Sequence, residues 1–526
     1  MDDARTSVLV VGGGIVGLTA AAFLARHGVP VTLVERHPGT SVHPRAWGWY
    51  PRTMELWREL GIEDAVLAEA AGFADHNLIA KVTSLSGEVL HSTVSPAGED
   101  LGHLSPSPQI SLSQDRLEPI VRAAAADEGA DLRFSTELVD LAEVEDGARA
   151  VLLDRTSGTT TTLTADYVVA ADGARSPLRA RLAVGVVGRE ALRHQLSILF
   201  NADLATVLGG RRFAICQIEN PEVSGVLGHD DTLGQATLIV TYHPDRGETP
   251  ADYDHERCAR LATAALGTTD VPVTIRSVLP WEMGATVAER YRAGRVFFVG
   301  DAAHVIPPVG GYGANTGVQD AHNLAWKLAA VLSDQAGPAL LDTYEHERRP
   351  VAQGVVEQAT MRLAVRAGYA TPEQKAALLE TTHVTLGYRY PVDDSPAPLF
   401  ADPADLVAEP GVRLPHLWVG ERSGERSTVD LVDGAWTVVA GPGGTAWAGA
   451  ARAAATRLNL PVHAHVLDGV AGPADVDGRW EKATGLGPEG AILSRPDGFV
   501  SARWDRGLDG NGDHLATVLR TALARE

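Results

Sequence analysis

The stretch that most restricts what this chain can become is Gly12-Gly13-Gly14-Ile15-Val16-Gly17. It follows the apolar run Val8-Leu9-Val10-Val11 and opens the alanine-rich segment Leu18 to Arg26, so strand, tight turn and helix are all legible. Glycines at 12, 14 and 17 let the backbone turn sharply and approach a pyrophosphate, whose charge then rests on unpaired N–H groups at the positive end of the helix. A second strand, Val31 to Val34, ends in Glu35, about 20 residues beyond the motif, where such folds place the acid that accepts from ribose hydroxyls. Arg36 beside it joins the candidate nucleotide contacts. A lone Gly-x-Gly-x-x-Gly is weak evidence, but with strand, helix and acid in register it predicts a dinucleotide site.

Composition bounds the rest. With 526 residues and 45% apolar content the chain can bury sizeable cores, and its length suggests about three domains. Forty-five Lys and Arg against 67 Asp and Glu leave a net charge of −22, which disfavours nucleic acid or anionic membrane as partner. Only Cys216 and Cys258 occur, too few for a disulfide framework or a Cys-rich metal site, as expected of a soluble cytoplasmic protein. No signal peptide and no continuous apolar run of about 18 residues is visible. Neither a His-Glu-x-x-His nor a Gly-x-Ser-x-Gly pattern occurs, so we expect no metal and no serine nucleophile.

The α/β pattern comes in separated pieces, assigned here to 1–75, 101–180 and 286–390. Residues 76–100 and 181–285 read as an inserted, mostly antiparallel substrate domain, because strand candidates at 195–200, 213–218, 236–242 and 271–278 are separated by turn residues. A Pro- and Asp-rich linker from 391 to 410 precedes a third unit, 405–526. Residues 345–349, Glu-His-Glu-Arg-Arg, read as a charged helix surface with ion pairing to neighbours.

A second glycine loop lies nearly three hundred residues beyond the first. Arg295-Val296-Phe297-Phe298-Val299 delivers Gly300 and Asp301 at a strand end; Pro307, Pro308, Gly310, Gly311 and Gly313 follow, and then a helical face over 317–332. An acid is again handed to a glycine-rich loop whose helix points its positive end back at the site. Asp301 is expected to accept hydrogen bonds from a polyol chain. The backbone around Gly313, Ala314 and Asn315 is expected to donate to a ring that gathers negative charge on reduction. A nicotinamide site needs no such second loop, so the pattern points to flavin.

The three motifs in order, namely the first glycine turn with Glu35, Asp172-Gly173-Ala174-Arg175-Ser176-Pro177-Leu178-Arg179, and Gly300-Asp301 with its Pro-Pro-x-Gly-Gly loop, resemble the FAD-dependent single-component aromatic hydroxylases. This is the para-hydroxybenzoate hydroxylase class, and the resemblance is strongest to the bacterial polyketide hydroxylases of anthracycline type. It implies a Rossmann-like FAD-binding domain, the inserted β domain and, in 405–526, a thioredoxin-like domain that here contains no cysteine. It further implies that Glu35 binds adenosine ribose and that Arg45 and Gln114 lie along the pyrophosphate and ribityl chain. Asp301 would bind ribityl, and Ala314 and Asn315 would offer backbone to the isoalloxazine. NADPH (or NADH) would visit a surface groove transiently, with Arg175 and Arg179 as candidate contacts. O₂ would add to reduced FAD to give a C4a-hydroperoxide that an aromatic, polycyclic polyketide substrate attacks. Pro308 and Val309 would stand beside the reacting ring; many relatives carry Thr at the latter position. Trp49 is read equally as a wall of the substrate pocket and as core packing. His304 is read as structure rather than as a base. Two alternatives stay open: a Baeyer–Villiger oxygenation on the same fold, and a non-catalytic flavin-binding accessory protein.

Overall fold

Three motifs far apart in sequence leave from one edge of one sheet. In the computed structural model, which describes residues 4–94, 99–392, 396–421, 424–506 and 513–525, the first sheet has the order Arg292–Ala293, Val296–Phe298, Thr160–Ala170, Ala4–Val11, Val31–Val34, Asp131–Arg133. Asp2, Asp3 and residues 393–395 of the expected linker lie outside the described residues. Ala4–Val11 runs parallel to both Val31–Val34 and Thr160–Ala170, and the latter runs parallel to Val296–Phe298. Their apolar runs are continuous because helices cover both faces of such a sheet: Val8 to Val10 and all of Val31–Val34 are buried. Val11 pairs with Val34 and with Ala170, and Ala170 pairs with Phe298. The chain therefore leaves the sheet at Gly12, Glu35, Asp172 and Gly300 on the same side, the carboxyl edge where such folds bind ligands. Helix Ile15–Arg26 packs against Gln114–Asp127 and Tyr312–Leu332.

The second sheet has the order His304–Val305, Thr274–Ala288, Val186–Asn201, Gln235–Tyr242, Ser224–His229, Phe213–Glu219, Leu78–Val82, Val89–Val94. All its pairings are antiparallel except that of Phe213–Glu219 with Leu78–Val82. Its two longest strands exceed the expected segments. Val186–Asn201 and Thr274–Ala288 pair across a β-bulge and run on into the first unit. Helix His255–Leu266 covers one face, where Cys258, Ala262 and Leu266 join a core with Leu196, Ile198, Phe200 and Leu238. Strand alternation turns Gln195, Ser197, Thr237 and Thr241 to the other face.

The C-terminal unit holds a sheet of order Val462–Val466, Trp436–Ala440, Ala491–Ser494, Val500–Trp504, with helices Ala446–Leu458 and Asp513–Ala522. Its first pair is parallel and the others antiparallel, the thioredoxin-like arrangement. Trp436 meets Trp326 of the long helix edge to face at 6.0 Å.

Residues 345–349 are not the charged surface that their composition suggests. Glu347 and Arg348 are buried in helix Thr343–Arg366, and the ion pairing expected of them is made inside, because helix Tyr312–Leu332 and the C-terminal unit supply counter-charges there. Glu347 pairs with Lys327 at 2.7 Å and with Arg495 at 2.7 Å, while Arg348 pairs with Asp320 at 2.7 Å.

Candidate active site

The first glycine turn is shaped by contacts that no side chain could share. Gly12 has φ +111°, and a Cβ on Gly17 would overlap the Gly12 carbonyl oxygen. Gly14 is exposed at the end of helix Ile15–Arg26 and carries no side chain to obstruct it. Glu35 accepts from the N–H of Gly13 at 2.7 Å and of His37 at 2.8 Å, so it braces the turn while its remaining lone pairs stay available. Arg36 points into solvent, with a contact only to His37 at 3.4 Å.

Glu118 is the residue that the sequence did not single out. Fully buried, it accepts from Ile15 N–H at 3.1 Å, from Ser41 N–H at 2.7 Å and from the Gln114 amide at 2.6 Å. It thus ties the glycine turn to the 36–45 loop and to helix Gln114–Asp127, and burial raises its pKa. The available signal was a carboxylate on the apolar face between Leu117 and Val121.

Arg45 and Asp301 lie within reach of each other's charge. Arg45 is exposed and, among the described residues, makes no hydrogen bond or ion pair; its field reaches Asp301 and Glu118. Asp301 is open to solvent, yet desolvation by the surrounding protein raises its pKa, against the pull of His304 and Arg45. A carboxyl both reachable and deeply surrounded lines a cleft rather than an outer surface. Gly311, at φ +67°, caps helix Tyr312–Leu332, which begins five residues before the expected 317. Gly313, Ala314 and Asn315 therefore lie in the first turn of a helix, not in a loop. A helix start leaves the N–H groups of Gly313 and Ala314 without intrahelical partners. The Asn315 side chain is committed elsewhere: it accepts from Tyr50 N–H at 3.0 Å and donates to Gly48 O at 3.0 Å and Gly311 O at 2.9 Å.

The Asp172-Gly173 segment leaves the neighbouring strand. Asp172 accepts from the Ser176 hydroxyl at 2.6 Å and Leu178 N–H at 3.0 Å, which holds the turn closed. Taken together, a turn with no room for side chains, an unpartnered arginine and a deep carboxyl at a second helix start fit an extended dinucleotide with a polyol chain and a ring system.

Comparison with known proteins decides which dinucleotide. Residues 5–359 match the family described as FAD binding domain, and residues 408–525 match the aromatic-ring hydroxylase C-terminal family. The chain belongs to the FAD-dependent aromatic-ring hydroxylases. It is 42% identical to tetracenomycin A2 monooxygenase-dioxygenase of Streptomyces glaucescens, over 100% of this chain and 98% of that one. It is 40% identical to an aklavinone 12-hydroxylase of Streptomyces purpurascens over the whole of both chains. The structure of aklavinone-11 hydroxylase with FAD and aklavinone superposes with a TM-score of 0.89 at 38% identity, covering 100% of each.

Several residues of the hydroxylase stand differently from their sequence reading. Trp49 is fully buried, donates to Leu112 O at 2.8 Å and packs edge to face on Trp57 at 5.0 Å. It is core, because the short strand Gly48–Trp49 turns its ring inward; the half-buried Trp47 is the tryptophan that borders a cavity. Arg179 donates to Ala302 O at 2.8 Å and Ala174 O at 2.9 Å, so it binds the second motif to the third, whereas Arg175 is exposed with no hydrogen-bond or ion-pair partner among the described residues. His304 is buried, held by Asp320 at 2.6 Å. Pro308 is exposed and Val309 half-buried on the loop below the second sheet's strand His304–Val305.

On that side the hydroxylase also carries two cations that were not anticipated. Arg193 follows the bulge of strand Val186–Asn201, and Arg366 ends helix Thr343–Arg366; neither has a hydrogen-bond or ion-pair partner among the described residues. Burial lowers the Arg366 pKa, and so does the like charge of Arg193. Trp281 donates to Ser197 at 3.0 Å and Gln195 to Thr241 at 2.8 Å, which gives this sheet face a mixed apolar and hydrogen-bonding character. No helix among the described residues is long and apolar enough to cross a membrane.

Proposed function

We propose that this flavin-dependent monooxygenase takes electrons from NADPH or NADH, uses O₂, and hydroxylates a polycyclic aromatic polyketide in the cytoplasm. The observations that carry this reading are Asp301, reachable yet desolvated and within the field of Arg45, and Arg193 and Arg366 within each other's field, none of the three arginines having a hydrogen-bond or ion-pair partner among the described residues. Bound FAD supplies the redox and oxygen-activating chemistry. The chain's part is to hold and orient.

Gly12, Gly14 and Gly17 admit the pyrophosphate, Arg45 neutralises it, and Gln114, fixed by Glu118, lies along it. Glu35 accepts from adenosine ribose, with Arg36 at the outer rim. Asp301 accepts from the ribityl hydroxyls. The helix start at Gly313 and Ala314 faces the ring with positive potential, and Asn315 holds that start against Tyr50. Arg175 meets the nicotinamide nucleotide. Pro308 and Val309 border the aromatic substrate, whose ionised phenol suits the field of Arg193 and Arg366. With this reading goes the division into 1–75, 101–180 and 286–390 for FAD, 76–100 and 181–285 for substrate, and 405–526 as a supporting unit.

The relatives named for tetracenomycin and aklavinone substrates support a fused-ring phenol. The test is anaerobic reduction of the purified holoenzyme by NADPH, then admission of O₂ with tetracenomycin- and aklavinone-type aglycones present. Substrate-stimulated NADPH oxidation with one oxygen placed on an aromatic carbon, located by NMR, is expected. Oxygen inserted beside a ketone, or no oxygenated product from any polycyclic phenol, overturns the reading.

A further inference from the structure

A second polar cavity lies on the face of the substrate sheet that is not covered by helix His255–Leu266. It measures about 70 Å³, several times the ~10–15 Å³ that one water needs, and is bordered by Trp47, Ser113, Asp115, Arg116, Gly228 and Thr237. Thr237 pairs in register with Gly228 and alternates with Ala236 and Leu238 of the covered core, so its side chain stands on the opposite face. Gly228 carries no side chain there, and a Cβ at that position would touch the Trp47 ring 3.3 Å away. The flat indole thus lies against the sheet and walls the cavity.

Two buried polar atoms at this cavity have no hydrogen-bond partner among the described residues. The Thr237 hydroxyl is one, in a residue 5% exposed, and Asp115 Oδ1 is the other. Such orphans cost about 1–3 kcal/mol each unless something enters to bond them. The Arg116 guanidinium is engaged by Glu69 and by Asp231 at 3.0 Å, so only its charge and its backbone N–H act on the Asp115 carboxyl, and Oδ1 is left without a hydrogen bond among the described residues. Burial raises the Asp115 pKa, against the opposing pull of Ser113 and of the Arg116 charge and backbone N–H.

We propose that Asp115 and Thr237, with the Trp47 ring, form a subsite for a hydroxyl-bearing aromatic ring of the substrate, distant in sequence from the flavin loop. The carboxyl accepts from the ring's hydroxyl, the threonine hydroxyl completes its hydrogen bonding, and the indole packs on the ring. This rests on the aromatic-substrate reading above and adds what it lacked, a group that selects among polycyclic phenols.

The probes are 2-hydroxyanthraquinone and 2-methoxyanthraquinone, titrated into the FAD-loaded enzyme with flavin fluorescence as readout. The wild type should bind the phenol at least about tenfold tighter than the methyl ether, since a site built for a hydroxyl leaves its own polar groups unpaired against the ether. In Thr237→Val and Asp115→Asn, both near-isosteric, that ratio should collapse toward one, with FAD content confirming an intact protein. Equal binding of the two probes by the wild type, failure to bind either, or variants that keep the ratio overturns the inference. Discrimination by an enzyme that oxygenates nothing would count against the proposed function alone, and oxygenation without discrimination against this subsite alone.

Discussion

The carboxyl edge of the first sheet and the seam with the C-terminal unit are built from the same residue types, used in opposite ways. At the edge, the side chains of Arg45, Arg175 and Asp301 stand without hydrogen-bond partners among the described residues. In the seam, Arg413 binds Glu55 at 3.0 Å, Arg58 binds Asp430 at 2.7 Å, and Arg495 binds both Glu347 and Asp497. Burial opposes ionisation of Glu55, yet Arg413 and Arg52 hold its pKa down to about 2. Charges that the fold has already paired serve architecture; charges left open in a cleft await a ligand.

The sharpest break in that contrast comes from the glycine turn. Gly17→Val should leave the C-terminal seam untouched but abolish FAD binding, with flavin content of purified protein falling at least about tenfold, more than 1.4 kcal/mol. If the variant purifies fully yellow, the turn is not the cofactor site. Next in size is Arg413→Met, which leaves buried Glu55 with Arg52 alone as counter-charge and should cost about 1–3 kcal/mol in denaturant unfolding. Flavin affinity measured under native conditions should hardly change, and a large fall would mean that seam and cleft are one cooperative unit.

Acid should open the seam from the C-terminal side. Burial, aided by the charge of Arg413, depresses the His416 pKa to about 4. The unfolded chain then binds more protons between pH 6.5 and 4, so stability rises with pH across that window and is lost as pH falls through it. The loss is on the order of 3 kcal/mol for this group. Glu55 acts in the same direction at lower pH, its contribution being present above its ordinary value and lost as pH falls through about 2. His416→Gln should flatten the slope of stability against pH near 5 by about one proton; an unchanged slope refutes the assignment.

Smaller effects sharpen the cleft itself. Arg175→Ala should raise KM for NADPH by about fivefold, near 1 kcal/mol, with FAD retained. Arg179→Ala should instead loosen the Ala174–Ala302 tie and lower thermal stability. The reverse pattern would exchange their roles. Val309→Thr should change KM for the aromatic substrate by less than about threefold, and a larger effect would place a hydroxyl-dependent step at that loop.

The motifs were legible because backbone geometry demands them. Only glycine fits where Gly17 meets Gly12, and a strand that must be buried on both faces shows as an unbroken apolar run such as Val8–Val11. Periodicity was less informative where glycines sit inside a helix: Gly313 suggested a loop, yet the left-handed Gly311 starts the helix before it. From the sequence, Trp49 stays open between pocket wall and core, Arg179 reads as a nicotinamide contact, and Glu347 is placed on a surface, all for one reason. A side chain's role depends on which distant segment arrives beside it, and local spacing carries no record of that.

The amino-acid sequence by itself determined the flavin fold, its three motifs and their order, since each is a short-range requirement of turn, strand and helix. Tertiary structure alone decided that Glu118 braces the first glycine turn, that Glu347 and Arg348 are buried, and that Asp115 and Thr237 share a cavity. Those facts follow from contacts between segments dozens to hundreds of residues apart, where the desolvation of a charge is set by what packs against it.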